Sequence, residues 1–80
     1  MTVIAIFRSR AQALEYISFL KASGVPAQAI NTPKEAGVGC GVSAKFEEGF
    51  FSRARTCLMR RHYSSFSGFM VKRTNRYVYL

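Results

Sequence analysis

The sequence is poor in the residues from which disulfide frameworks, metal sites and hydrolytic active sites are built. Its 80 residues include two Cys, one His, four Asp or Glu, and no Trp. Two Cys are too few for a disulfide-rich miniprotein, and with one His they cannot complete a four-ligand zinc site alone. No hydrophobic run approaches the roughly 18 to 20 residues of a membrane-spanning helix. We therefore expect no metal, no cofactor and no membrane span, and a non-catalytic domain rather than an enzyme.

Hydrophobic residues and positive charge are abundant. Hydrophobic residues make up 49% of the chain and aromatics 14%, which is enough for a core and too much for a disordered chain. The length fits a single domain over residues 1–80. The formal net charge of +8 falls mainly in the second half, so anions such as nucleic acid or an acidic protein are expected partners. The apolar run at residues 3–7 is too short for a signal peptide, which predicts a cytoplasmic protein with reduced thiols.

A strand followed by a helix is predicted at the start of the chain. Residues 3–7 are β-branched or aromatic and apolar on both parities, which is typical of a strand buried on both faces. Ser9 is suited to be the N-cap of a helix over residues 10–23, and Gln12 completes a capping-box pattern. Gly24 stands where a glycine commonly ends a helix.

The order of the later elements predicts the fold class. A helix is expected to begin at Glu47–Glu48, where carboxylates meet the positive end of the helix dipole. The predicted order, β-α-β-β-α-β-β, indicates an α+β protein of ferredoxin-like architecture with an added C-terminal strand. Two helices are expected on one face of an antiparallel-rich sheet. The remaining predicted elements are strands at 27–31, 42–46, 66–71 and 77–80, a loop at 32–41, a turn at 74–75, and an end to the second helix near His62.

Cys40 is the candidate for chemistry. It stands between Gly39 and Gly41, where a glycine-rich loop meets a predicted strand. Neighbouring glycines leave the sulfur without side-chain cover, and nearby positive charge favours the thiolate, which is the nucleophile. Such a thiol is suited to hold sulfur or selenium, or to sense redox state. The supporting basic residues near in sequence, or expected near in the fold, are Lys34, Lys45 and Arg8.

A structural role for Cys40 is an equally open alternative at this point. Cysteine is among the most buried residue types. Cys40 shares its strand parity with Val42, Ala44 and Phe46, so its side chain is also compatible with the core. Cys57 lies on the apolar stripe of the second helix and is expected to fill the core. A disulfide between the two is geometrically possible, but a reducing compartment disfavours it.

Several segments together resemble the family of small selenium/sulfur carrier-like domains. They are the strand ending in Phe7, the helix closing on residues 22–26, Pro33-Lys34, and the run over residues 40–46. The similarity covers about residues 3–71. Ser43 stands where that family commonly has a small apolar residue, and Gly37 and Gly39 stand near positions where serines are common. The resemblance implies a carrier thiol at Cys40 and a partner protein that donates or accepts sulfur or selenium.

Two alternatives from other functional classes remain open. Basic and aromatic residues interleave near the C-terminus, a combination that can neutralise phosphates and stack bases in a nucleic-acid-binding module. The third predicted strand lacks the basic-Gly-aromatic signature of an RNA-recognition domain. The same hairpin is also suited to form a homodimer contact in a scaffold without thiol chemistry. The basic and aromatic residues predicted to form a binding surface are Arg53, Arg60, Arg73, Arg76, Tyr77 and Tyr79.

Overall fold

The computed structural model describes residues 1–37 and 40–80. Within them lie five strands and two α-helices, in the order predicted from the sequence. A 3₁₀ turn at Lys34–Ala36 lies between the second and third strands, and another at Glu48–Phe50 precedes the second helix. The elements are β1 (Thr2–Phe7), α1 (Arg10–Ala22), β2 (Gln28–Asn31), β3 (Val42–Glu47), α2 (Phe51–Arg61), β4 (Phe66–Arg73) and β5 (Arg76–Tyr79).

The five strands form one antiparallel sheet with the order β2-β3-β1-β4-β5. The first four strands in this order have the ferredoxin-like arrangement, and β5 extends the sheet as a hairpin partner of β4. Ala5 pairs with Ala44 of β3 on one side and with Phe69 of β4 on the other. The predicted α+β architecture with an added C-terminal strand is confirmed. The central position of β1 explains why its sequence is apolar on both parities.

Both helices cover one face of the sheet, as predicted. Alternate strand residues point into the main core between the sheet and the helices, including Val3, Ala5 and Phe7 of β1. The hydroxyl of Tyr16 in α1 donates to the backbone carbonyl of Ala54 in α2 at 2.8 Å. The second sheet face carries a smaller cluster, formed by Ile4, Ile6, Met70 and Ala36. The core therefore has two unequal parts on opposite faces of β1.

The ends of α1 follow from its flanking residues. The Ser9 hydroxyl accepts a hydrogen bond from the Gln12 amide at 3.2 Å, which confirms the predicted N-cap. The Gln12 side chain does not complete the capping box but instead accepts hydrogen bonds from the amide and hydroxyl of Ser65. At the other end, Gly24 has φ +87°, and the amide of Val25 donates to the Leu20 carbonyl at 2.9 Å. This is a Schellman ending, and it requires the left-handed residue that glycine provides.

The start of α2 differs from the prediction. β3 continues through Glu47, a 3₁₀ turn covers Glu48–Phe50, and the α-helix begins only at Phe51. The two carboxylates lie beside the amino group of Met1, at 3.6 Å for Glu47 and 3.1 Å for Glu48. They do so because β1 and β3 are antiparallel, which brings the start of β1 to the end of β3. The end of α2 is as predicted, since exposed His62 follows it in a left-handed conformation.

Candidate functional site

Cys40 lies beside the end of the central strand. Its amide donates to the carbonyl of Phe7, the last residue of β1, at 3.1 Å. Its side chain is half-buried against the main core, and its Sγ donates to the Val42 carbonyl at 3.2 Å. Cys40 as a residue is therefore neither enclosed in the core nor fully exposed.

Two hydrogen bonds join the ends of the segment 32–43, which contains Cys40. The Thr32 amide donates to the Gly41 carbonyl at 3.3 Å, and the hydroxyls of Thr32 and Ser43 are 2.7 Å apart. Ser43 is fully buried, and this hydrogen bond satisfies its hydroxyl group there. Gly41 has φ +89° and an exposed surface, so its backbone conformation favours glycine. Gly39, the other predicted flanking glycine, lies outside the described residues.

The three basic residues predicted to support Cys40 lie in different places. Arg8 directly follows the Phe7 carbonyl that binds Cys40, and its side chain is exposed. Lys45 has the strand parity opposite to that of the core residues of β3 and pairs in register with Ile4. Lys34 is exposed on the 3₁₀ turn that covers the second sheet face. Of these three predicted residues, Arg8 is the one next in sequence to Phe7, whose carbonyl binds the Cys40 amide.

Arg10 is a candidate site residue that the sequence analysis missed. It begins α1 and lines a surface pocket together with Ile30, Asn31 and Val42. Cys40 does not line this pocket and is connected to it through Val42, whose carbonyl accepts the Cys40 hydrogen bond. The signal in the sequence was a pair of arginines flanking an N-cap serine, ahead of a helical turn without acidic residues.

The predicted basic and aromatic residues do not form one surface. Arg53 and Arg60 lie on α2, which covers the main core face of the sheet. Tyr77 packs with the cluster on the opposite face, and the Tyr79 hydroxyl donates to the Ala36 carbonyl at 2.9 Å. These two groups are separated by the sheet, because side chains alternate between its faces. Arg73 and Arg76 pair in register next to the β4–β5 turn.

A hydrogen-bonded cluster joins α1 to the end of α2. The Tyr63 hydroxyl donates to the Glu15 carboxylate, and the Arg61 guanidinium also binds Glu15 at 3.2 Å. Burial raises the pKa of Tyr63 above its usual value, and the hydrogen bond to Glu15 raises it further. The ring of Tyr63 lies 5.6 Å from that of Phe7. The end of α2 is thereby placed at the same end of the sheet as Cys40.

The second cysteine occupies the core. Cys57 is 4% exposed and packs with the main cluster, as predicted, and both cysteines are free. Within residues 1–37 and 40–80, no three His, Cys, Asp or Glu side chains are grouped so that they could hold a metal ion. In that same part of the chain, no helix is long and apolar enough to cross a membrane.

A comparison with models of protein families identifies the family of this chain. Residues 2–64 match the model of the family described as "Putative Se/S carrier protein-like". The chain belongs to this family. The matched segment of this Se/S carrier-like protein runs from β1 through α2 and includes Cys40, whereas β4 and β5 follow it. The search of curated proteins found no significant match, and neither did the search of solved structures.

Proposed function

We propose that this protein is a non-enzymatic carrier that holds a sulfur or selenium atom on Cys40. The observation that carries this proposal is the partly exposed residue Cys40 beside the end of β1 in a chain of the Se/S carrier-like family. Cys57 is enclosed in the core, so it is not available to a partner. The carrier operates in the cytoplasm, where thiols stay reduced, and it exchanges its cargo with a donor or acceptor protein.

The loading step is an exchange between sulfur atoms without net oxidation. The Cys40 thiolate attacks the terminal sulfur of a donor persulfide, R–S–SH, and forms a new S–S bond to it. The donor S–S bond breaks, and its electron pair leaves with the donor sulfur as R–S⁻. The product is Cys40–S–SH. A donor R–S–SeH would give Cys40–S–SeH by the same exchange, and transfer to an acceptor reverses the roles.

The contacts of the thiol define what must change when the step occurs. The Cys40 Sγ donates to the Val42 carbonyl in the resting protein, and a thiolate has no proton to donate. Loss of the proton therefore releases this weak hydrogen bond and frees the sulfur to turn towards a partner. The amide contact with Phe7 is unaffected, so the backbone of Cys40 keeps its position during the exchange.

Loading by a cysteine desulfurase tests this proposal. The wild-type protein is incubated with the desulfurase and cysteine, and its intact mass is measured without reductant. We expect a mass gain of one sulfur atom that dithiothreitol removes. Cys40→Ser is expected to take up no sulfur, whereas the matched control Cys57→Ala is expected to load as the wild type does. The proposal fails if the wild type gains no sulfur or if Cys40→Ser gains it equally.

A further inference from the structure

The two ends of the central strand carry different charged side chains. At the start of β1, Glu47 and Glu48 lie beside the amino group of Met1. Cys40 lies at the other end of β1, where its amide binds the Phe7 carbonyl. Thr2 and Phe7 are five residues apart on a strand that rises about 3.3 Å per residue. Basic side chains lie at both ends, because Lys72 and Arg73 follow Val71, the β4 residue that pairs with Val3 near the start of β1. At the Cys40 end, chain connectivity and the contacts of α2 place Arg8, Arg10, Arg60 and Arg61, of which Arg61 is paired with Glu15.

Each of the four Glu side chains is paired with a group other than Arg8 or Arg10. Glu15 binds Arg61 and Tyr63, and Glu35 accepts a hydrogen bond from the Tyr77 amide at 3.3 Å. Glu47 and Glu48 are at the opposite end of β1. Among the residues that the structure describes, Arg61 is the one Lys or Arg that forms a salt bridge. Within residues 1–37 and 40–80, Arg8 and Arg10 therefore form no salt bridge.

The positions of Arg8 and Arg10 do not help α1 to form. Ser9 is the N-cap, Arg10 is the first helical residue, and the first turn contains no acidic residue. Cations near a helix N-terminus are unfavourable, because that end carries the positive part of the helix dipole. Both side chains are exposed, and neither forms an ion pair in the described part of the chain. Helix stability does not account for two arginines there.

We propose that Arg8 and Arg10 form the docking surface for an acidic patch on the protein that exchanges sulfur or selenium with Cys40. This inference rests on the proposed carrier function. Arg8 follows the residue that binds the Cys40 amide, and Arg10 lines the pocket that is connected to Cys40 through Val42. A partner that brings a persulfide to the sulfur must meet these two charges, and complementary charge speeds such encounters.

An acidic protein fits this end of the molecule better than a nucleic acid does. Proteins that bind single strands combine positive charge with aromatic side chains on which bases stack. Tyr77 and Tyr79 are on the second sheet face, where the 3₁₀ turn of Ala36 contacts them. The rings of Phe7 and Tyr63 pack against each other at the Cys40 end, with Phe7 fully buried. The two arginines thus supply charge without a stacking platform.

Two matched double variants test the docking surface. Arg8→Gln with Arg10→Gln removes the proposed contacts, and Arg73→Gln with Arg76→Gln removes the same charge next to the distant β4–β5 turn. Each protein is loaded from a cysteine desulfurase of negative net charge and, separately, from a small-molecule persulfide whose organic group carries no charge. At low salt we expect the first variant to load from the desulfurase about tenfold more slowly than wild type, and the control within roughly twofold. Loading from the small persulfide should be equal in all three proteins.

The outcomes separate the two proposals. If the wild type loads and the Arg8/Arg10 variant loads equally fast from the desulfurase, docking is refuted and the carrier function stands. If that variant is also slow with the small persulfide, the arginines act on the thiol itself, which overturns docking. Tighter binding of labelled single-stranded RNA by wild type than by the variant would assign this surface to nucleic acid instead. If the wild type loads from neither donor, the carrier function fails and docking fails with it.

Discussion

The two cysteines show how position alone gives one residue type two roles. Cys57 lies on the buried stripe of α2, where the helical spacing of apolar residues predicted it. Cys40 was open to two interpretations, because its parity favoured the core and its glycine neighbours favoured exposure. In the structure Cys40 is a half-buried residue whose Sγ donates a hydrogen bond to a backbone carbonyl. Sequence could not decide this, because the partner strand that supplies the Phe7 carbonyl is distant in the chain.

At the residue scale, Tyr16 makes the protein sensitive to alkaline pH. Burial raises the pKa of Tyr16 above its usual value of 10.0, so the unfolded chain loses this proton first as pH rises. Stability from Tyr16 is therefore fully present below pH 10 and declines above it, by at most about 1.4 kcal/mol per pH unit. Urea unfolding of the wild type and of Tyr16→Phe across this range measures the difference.

The Tyr16→Phe variant should also be less stable near neutral pH. It loses the hydrogen bond to the Ala54 carbonyl, which costs about 1 kcal/mol. Above pH 10 the gap between variant and wild type should narrow, because the phenylalanine has no proton to lose. A gap that stays constant with pH would contradict the assigned role of the tyrosine.

At the element scale, helix ends were predictable where local hydrogen bonds determine them. Ser9 and Gly24 define α1 through contacts within a few residues. Glu47 and Glu48 precede the α-helix rather than begin it: Glu47 ends β3, and Glu48 begins the 3₁₀ turn that continues into α2. The sequence does not show that strand pairing places both carboxylates beside the amino group of Met1. The 3₁₀ turn at Lys34–Ala36 was missed for the same reason, since its packing partners lie on β1, β4 and β5.

The N-cap of α1 gives a prediction at this scale. Ser9→Ala removes the acceptor for the Gln12 amide and should lower the free energy of unfolding by about 1 kcal/mol. Ser18→Ala is the matched control, because Ser18 is exposed in the middle of the same helix. Alanine is a better helix former, so this control should be neutral or slightly stabilising. Equal destabilisation by both changes would refute the capping role.

The 3₁₀ turn at Lys34–Ala36, which covers the second sheet face, gives a second prediction at the element scale. The Tyr79 hydroxyl holds the Ala36 carbonyl at 2.9 Å, and the Tyr79 ring lies close over Gly68. Tyr79→Phe removes the hydrogen bond and keeps the ring, so we expect faster hydrogen exchange at the amides of Ala36 and Gly37. The loss of stability should be about 1 kcal/mol. Tyr77→Phe serves as the control because no hydrogen bond of its hydroxyl occurs among the described residues; unchanged exchange in both variants would contradict the assignment.

At the scale of the whole molecule, topology was more predictable than surface organisation. Alternating apolar residues, turn residues and the order of elements sufficed for the five-stranded antiparallel sheet. They did not show how the cations divide among faces and ends, because this depends on strand order and helix placement. Arg53 and Arg60 therefore share no surface with Tyr77 and Tyr79, although the sequence grouped them.

The excess of positive charge predicts how salt affects stability. The protein has a net charge of +8, and its described residues contain few salt bridges, so repulsion among cations opposes folding. Adding sodium chloride shortens the Debye length from about 30 Å at 0.01 M to about 8 Å at 0.15 M. The urea midpoint should rise over this range, and it should rise less in the Arg73→Gln, Arg76→Gln variant. A midpoint that falls with salt would show that attractive pairs dominate.

The position of β1 between β3 and β4 has a consequence for shorter versions of the chain. The family match ends at residue 64, just before the strand that covers one side of β1. A fragment truncated there would expose an edge of unpaired backbone groups along a strand made of Val, Ile, Ala and Phe. Bare apolar edges recruit other strands, so such fragments should aggregate or exchange segments between copies.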